Sequence, residues 1–207
     1  MIKNIVFDMG EVLIHFNIRA FADRYDMTED EKELVLREVF WGNPNWSLND
    51  WGRIDEAEVA RRACERLPEH LHEAAWGLAT RWFDPLIPVE GMADLVRRIK
   101  KAGYGVYLLS NAGVRHSEYW NKIPGSEYFD GIVVSAYEKL VKPQPEIYKV
   151  LLDRFRLVPE ECLFVDDREI NLAGAAICGM QSVAFRSAED LEKSLRERGI
   201  ILDRCTI

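Results

Sequence analysis

The stretch Ile2–Phe16, IKNIVFDMGEVLIHF, constrains this chain more than any other. Ile5-Val6-Phe7 is an uninterrupted apolar run, the signature of a strand buried on both faces of a parallel sheet. Asp8 follows at once, where such a strand ends, and the carboxyl edge of an open α/β sheet is where ligands bind. Gly10 then permits a tight turn before Val12-Leu13-Ile14. A carboxylate at a strand end, followed by a glycine-containing turn, can serve as nucleophile and cation ligand together. Standing alone it could equally be an aspartate that ends a strand and caps a turn.

The remainder of the chain divides in two. Residues 17–84 show no strand-like alternation. Asn17 can cap a helix running to Tyr25, and Thr28 with Glu31 forms a capping box ahead of a helix through Val39. Val59, Ala63 and Leu67 have helical spacing within Asp55–Leu67, and His70–Phe83 reads as a further helix. Five of the six tryptophans lie between 41 and 82 and are expected mostly to form the core of this bundle. The segment 41–52, WGNPNWSLNDWG, is expected as a loop overhanging a site, with Trp41, Asn43, Trp46 and Asp50 as candidate contacts.

From Pro85 onward, strands at Tyr104–Leu109, Gly131–Ser135, Glu161–Val165 and Ser182–Phe185 alternate with helices at Met92–Lys101, Arg115–Ile123, Glu146–Phe155, Asn171–Cys178 and Ala188–Arg198. This rhythm predicts an α/β fold, a Rossmann-like three-layer α/β/α parallel-sheet core. Residues 1–16 and 85–207 form that core, with 17–84 inserted as a helical bundle and 200–207 as a tail.

At 207 residues and 48% hydrophobic, the chain can bury a sizeable core. A net charge of −8 and a pI near 5.2 argue against nucleic acid as a partner. No apolar run approaches a membrane span, nothing resembles a signal peptide, and Cys64, Cys162, Cys178 and Cys205 have no metal-site spacing. A cytoplasmic protein with free thiols, monomeric or weakly dimeric, is expected.

Polar groups stand at three strand ends: Asp8, Ser110-Asn111 and Asp166-Asp167, with Lys142 just ahead of a helix. Parallel strands bring their carboxyl ends to one edge, so these groups can converge. Asp8 with one or both of Asp166 and Asp167 can hold a hard divalent cation, Mg²⁺ foremost. Ser110 and Asn111 can donate to phosphoryl oxygens, and Lys142 can neutralise carboxylates and phosphate alike.

Taken together, FDMGEV at 7–12, LLSN at 108–111, VKP at 141–143 and FVDD at 164–167 resemble, in order and spacing, the four motifs of the haloacid dehalogenase-like hydrolases. The helical insertion resembles that family's C1 cap. SNxxxxH (Ser110, Asn111, His116), Glu146 and Tyr148 after KP, and Asn171 after DD are similar to bacterial sugar-phosphate phosphatases of the α-glucose-1-phosphate phosphatase type. The resemblance implies an aspartyl-phosphate formed on Asp8. It also implies Mg²⁺ held by Asp8, the Gly10 carbonyl and Asp167, with Asp166 as a second ligand or acting through water. Ser110, Asn111 and Lys142 would cradle the phosphoryl group of a small phosphorylated substrate.

The resemblance breaks at Gly10, where most family phosphatases carry a second aspartate that moves the leaving-group proton. That help is typically worth ~10²–10⁴-fold. Its loss favours leaving groups that depart without full protonation: anomeric, acyl or aryl phosphates. Glu11, His15 and His116 are candidate replacements, and Glu11 and His116 candidate substrate contacts. Two alternatives stand beside a phosphatase: a phosphate-binding or regulatory protein disabled at Gly10, and a 2-haloacid dehalogenase, against which the Asp166-Asp167 pair speaks.

Overall fold

The computed structural model describes residues 1–202; Cys205 and the end of the expected tail lie outside the described residues. Five parallel strands, β1 (Asn4–Phe7), β2 (Gly105–Ser110), β3 (Gly131–Val134), β4 (Cys162–Asp166) and β5 (Gln181–Ala184), form one sheet in the order β3-β2-β1-β4-β5. β1 is therefore central, with Phe7 opposite Leu108 on one side and Val165 on the other. The chain leaves β1 toward β2 and β3, then returns across it to β4 and β5. That reversal puts the topological switch at β1, and Asp8 sits on it.

The period-two alternation of side chains divides the core between two apolar clusters. Ile5, Phe7, Val106, Leu108, Leu163 and Val165 join the first, which the helices Met92–Lys101 and Ala188–Glu197 cover through Leu95, Ile99, Leu191 and Leu195. Val6, Leu109, Cys162 and Phe164 join the second, beneath Pro145–Phe155 and Glu169–Ile177. Burial on both faces explains why the strands read as continuous apolar runs. Helix Met92–Lys101 ends as its sequence predicts, with Ala102 as cap and Gly103 at φ +88°, where a Cβ would be strained.

The insertion is helical throughout: Ile18–Ala22, Glu29–Leu36, Asn45–Asp50, Glu56–Cys64 and His72–Arg81 are joined by short turns. Thr28 and Glu31 form the expected reciprocal capping box. Helix 29–36 does not run unbroken to Val39, because one wide π-turn, Arg37–Trp41, takes over. The segment expected as a loop is the helix Asn45–Asp50, started by Pro44 and seated by an Asn43 side chain that accepts from Asn45 N and donates to Glu38 O. Tryptophan burial also departs from expectation. Trp82 is buried, but Trp41 and Trp76 are exposed, so the bundle core is built mainly from Val35, Leu36, Val59, Leu71 and Leu78.

Entry to and exit from the insertion lie side by side. His15 N donates to Ile87 O and Val89 N to Leu13 O, a short antiparallel ladder around Ile14 and Pro88. The insertion also closes onto the sheet edge. Trp51 Nε1 donates to Lys139 O (2.8 Å), Ser135 Oγ to Asp50 O, and Arg115 Nη1 to Thr80 O (2.7 Å). Gly52, at φ +62°, lies so close to Ala136 O that a Cβ would come within 2.2 Å of it. Among the described residues no helix is long and apolar enough to cross a membrane, and Cys64, Cys162 and Cys178 are free.

Candidate active site

Beneath the insertion, at the carboxyl edge of the sheet, lies a cavity of about 340 Å³. The core contributes Asp8, Gly10, Glu11, Asn111, Lys142 and Asp167 to its lining; the insertion contributes Trp46, Asn49, Asp50, Glu56 and Trp82.

Asp8 leaves β1 with its N–H bonded to Val165 O, and its own Oδ1 accepts from Met9 N at 2.7 Å. The N–H groups of Val12, Leu13 and Ile14 all turn back onto Met9 O, which forms the tight turn. Glu11 occupies that turn at φ 53°, and its carboxylate accepts from Phe16 N (2.7 Å) and bonds His15 Nδ1 (3.1 Å). Glu11 therefore lines the cavity while both its oxygens hold the turn, and His15 is its partner there. Both are engaged in holding the turn rather than aimed at position 10 by any contact.

Lys142 is almost wholly buried, with Nζ 2.9 Å from Asp8 Oδ1 and 2.6 Å from Asp166 Oδ2. Asn111 fixes it through the backbone: its Oδ1 accepts from Lys142 N (2.8 Å) and its Nδ2 donates to Lys142 O (3.1 Å). The expected phosphoryl contact at Asn111 is thus first a clamp on Lys142. Asp166 is fully buried and saturated. Besides Lys142 it receives Arg168 N at 2.9 Å and Asn171 Nδ2 at 3.0 and 3.1 Å. Asp167, next in sequence, is exposed to the cavity.

Burial pushes the Asp8 carboxyl up to about 6; Lys142 pulls it down and Asp166 pushes it up. Burial raises Asp167 as well, with Asp166 as the second cause. On the facing wall, burial carries Asp50 up to about 7, helped by Asp8 and Glu56 and opposed by Arg168 and Lys142. Glu56 is raised by burial. Five lining carboxyls face two lining cations, Lys142 and Arg168.

That imbalance, with an all-oxygen donor set, suits a hard divalent cation. Oxygens of Asp8, Asp166 and Asp167 lie within 4.8 Å of one another. Asp166 already accepts four hydrogen bonds, so Asp8 and Asp167 are the carboxylates with capacity to spare.

Two expected residues lie elsewhere. Ser110 ends β2, buried, with a hydroxyl that has no protein partner, but it is not part of the cavity lining. His116 is buried outside the lining, stacked on Trp120 with centroids 5.3 Å apart, and neither ring nitrogen has a partner. Burial depresses its basicity to about 4, so near neutral pH it is an uncharged core ring rather than a substrate contact.

Sequence reasoning missed Asn49, Glu56 and Arg168. Arg168 directly follows the Asp166-Asp167 pair and was findable on that ground. Asn49 and Glu56 carry no signal in the sequence, because only the folded insertion turns their helices toward the sheet edge. Asp55 caps the helix that carries Glu56, accepting from Glu58 N at 2.8 Å.

The chain is 27% identical over 155 residues to flavin mononucleotide hydrolase 1 of Arabidopsis thaliana, covering 75% of this chain and 62% of that protein. It is 28% identical over 187 residues to the sesquiterpene phosphatase astK of Aspergillus oryzae, covering 86% and 87%. The alignments span only 20–62% of the length of several curated relatives, the Arabidopsis hydrolase among them. Among solved structures, a HAD family enzyme of Bacteroides thetaiotaomicron, crystallised as a mutant with magnesium and inorganic phosphate, superposes with a TM-score of 0.73. Its identity is 25%, and the match covers 95% of this chain and all of that one. The family model for haloacid dehalogenase-like hydrolases matches residues 2–179, which include the switch-point aspartate, the lysine and the paired carboxylates, and the chain belongs to that family.

Proposed function

We propose that this protein is a Mg²⁺-dependent phosphomonoester hydrolase that works through an aspartyl-phosphate on Asp8, acting on a small sugar phosphate such as a hexose 1-phosphate. The observation that carries the reading is the buried Lys142 Nζ, bridging Asp8 and Asp166 at the floor of the cavity. Phosphoryl transfer needs in-line positioning and charge neutralisation more than elaborate covalent chemistry, and this floor supplies both.

An Asp8 carboxylate oxygen attacks phosphorus as the ester P–O bond breaks. Lys142 and Arg168 neutralise charge on the phosphoryl oxygens. Water then attacks the aspartyl-phosphate, releasing phosphate and restoring the carboxylate. Asp166 holds Lys142 in register. Asp8, Asp167 and the Gly10 carbonyl would hold Mg²⁺, which supplies Lewis-acid stabilisation of the phosphoryl charge. Residues 17–84 act as a C1-type cap that admits substrate and excludes water while closed; residues 1–16 and 85–207 are the core on which it moves. A sugar suits the wall supplied by the insertion, where Asn49 and Glu56 offer acceptors to hydroxyls beside Trp46 and Trp82. The free thiols of the described residues accord with a cytoplasmic setting.

The test is phosphate release from a panel of phosphomonoesters, with and without Mg²⁺, for wild type, Asp8→Asn and Asp167→Asn. Mg²⁺-dependent release that Asp8→Asn abolishes, with Asp167→Asn demanding more Mg²⁺, is expected. No release from any ester, with Mg²⁺ still bound, would replace the hydrolase reading with a phosphate-binding one.

A further inference from the structure

We propose that Asp50, carried by the insertion, is the general acid and base that position 10 lacks. The inference rests on the phosphatase reading above and deepens it.

The position two residues beyond the nucleophile is open. A Cβ built on Gly10 meets nothing within 4 Å and Gly10 lines the cavity, so the space at this position is open to a group arriving from elsewhere. Of the other carboxyls around the cavity, Glu11 is held by Phe16 N and His15, and Asp166 by Lys142, Arg168 N and Asn171. Asp167 is one of the two carboxylates left to hold a cation. Asp50 and Glu56 remain, both on the wall facing the nucleophile. Among the described residues no side-chain hydrogen bond or ion pair holds the Asp50 carboxyl. Glu56 is tied through Oε1, which accepts from Arg115 N, while its Oε2 is buried without a partner. Asp50 is therefore the insertion carboxyl whose two oxygens are both free to exchange a proton.

Its backbone supports the role. Asp50 is the last residue of helix Asn45–Asp50, and its carbonyl accepts from Ser135 Oγ at the end of β3, which ties this wall to the sheet edge when the insertion is closed. The same carboxyl, raised toward neutrality by burial, can carry a proton at the start of the cycle.

The step balances without any further reactant. As the Asp8 Oδ–P bond forms and the ester P–O bond breaks, the Asp50 carboxyl gives its proton to the departing oxygen, which leaves as an alcohol. Asp50, now a carboxylate, takes a proton from the water that attacks the aspartyl-phosphate. The water oxygen–P bond forms, the Asp8 O–P bond breaks, hydrogen phosphate departs, and Asp50 is protonated again. Gly10 alone would restrict the enzyme to leaving groups that depart unprotonated; a proton from Asp50 lifts that restriction.

The experiment measures Mg²⁺-dependent phosphate release from a series of substituted phenyl phosphates and an alkyl phosphate. Wild type, Asp50→Asn, Glu56→Gln, Gly10→Asp and the Gly10→Asp/Asp50→Asn double variant are compared. Asp50→Asn should lose ~10²–10³-fold in kcat on the poorest leaving group and less than ~10-fold on the nitrophenyl ester, with KM nearly unchanged. The slope of rate against leaving-group basicity steepens accordingly, and the double variant flattens it again. Glu56→Gln should leave the slope of rate against leaving-group basicity unchanged. Equal losses across the series in Asp50→Asn, or none on the poorest leaving group, overturns the proposal. So does a double variant that stays impaired while Gly10→Asp alone is as active as wild type. A wild type inactive on every ester overturns the phosphatase reading itself, which keeps the two failures apart.

Discussion

Replacing Asp50 with asparagine should stabilise the metal-free protein, and only where the carboxyl is ionised. Asp50 rises from an ordinary 3.8 to about 7 in the folded state, first because it is buried and then because Asp8 and Glu56 lie near. Folding therefore disfavours its charged form. The gap between the two values, at about 1.36 kcal/mol per pH unit, sets an upper penalty of roughly 4 kcal/mol. The carboxyl faces a cavity that can hydrate it, so about 2 kcal/mol is the expected gain for Asp50→Asn. The sign follows from the raised acid. The penalty is nearly absent at pH 4, grows as the unfolded carboxyl ionises, and is complete above pH 7. In a chain of this size about 2 kcal/mol corresponds to a rise in Tm of roughly 4–8 °C. Thermal unfolding of both proteins in chelator, from pH 4 to 8, measures it. The advantage of the variant should be largest at pH 8 and at least halved at pH 5. An advantage equal at pH 5 and pH 8, or a variant less stable at pH 8, would refute the reasoning. Loss of turnover together with gained stability is the pattern expected of a residue kept for chemistry.

The floor and the walls of the site can be probed in the same way. Lys142→Met should cost about 3–5 kcal/mol in denaturant unfolding, because it strands two buried carboxylates. Adding Asp166→Asn should recover part of that loss, and strictly additive costs would dissolve the proposed pairing. Gly113→Ala places a Cβ 2.2 Å from Glu56 Oε1 and 2.6 Å from Asn49 Nδ2, so it should cost ~1–3 kcal/mol and raise the substrate KM. His116→Phe should leave KM unchanged. Because the His116 ring falls from 6.5 to about 4 on burial, wild type loses stability as pH drops from 6.5 toward 4, and the variant should lose less over that window. A raised KM in this variant would return His116 to the substrate site.

The α/β core was legible because its strands are buried on both faces. Ile5-Val6-Phe7, Val106–Leu109 and Leu163–Val165 read as apolar runs, and each ends in a polar group at the sheet edge. Helix ends with strong local chemistry were equally plain: the Thr28–Glu31 box, and Ala102-Gly103. The helical character of the insertion is legible in the sequence, but the course of 41–52 is not. Glycine, proline and asparagine in 41–52 suggested a loop, whereas contacts to the sheet edge through Asp50, Trp51 and Gly52 hold the segment as a helix.

What belongs to the chain order alone is which groups arrive at the carboxyl edge: Asp8, Asn111, Lys142, Asp166 and Asp167 follow from strand direction and spacing, since parallel strands share one edge. The division of labour among them belongs to the tertiary structure. Asp166 and Asp167 are neighbours of one type, yet the first is consumed by Lys142, Asn171 and Arg168 N while the second faces the cavity. For the same reason His116 is a buried ring outside the cavity while Asp50 lines the cavity. Hydrogen-bond capacity, burial and the electrostatic reach of a neighbour are properties of packed surfaces, and only the closure of the helical insertion over the sheet edge assigns them.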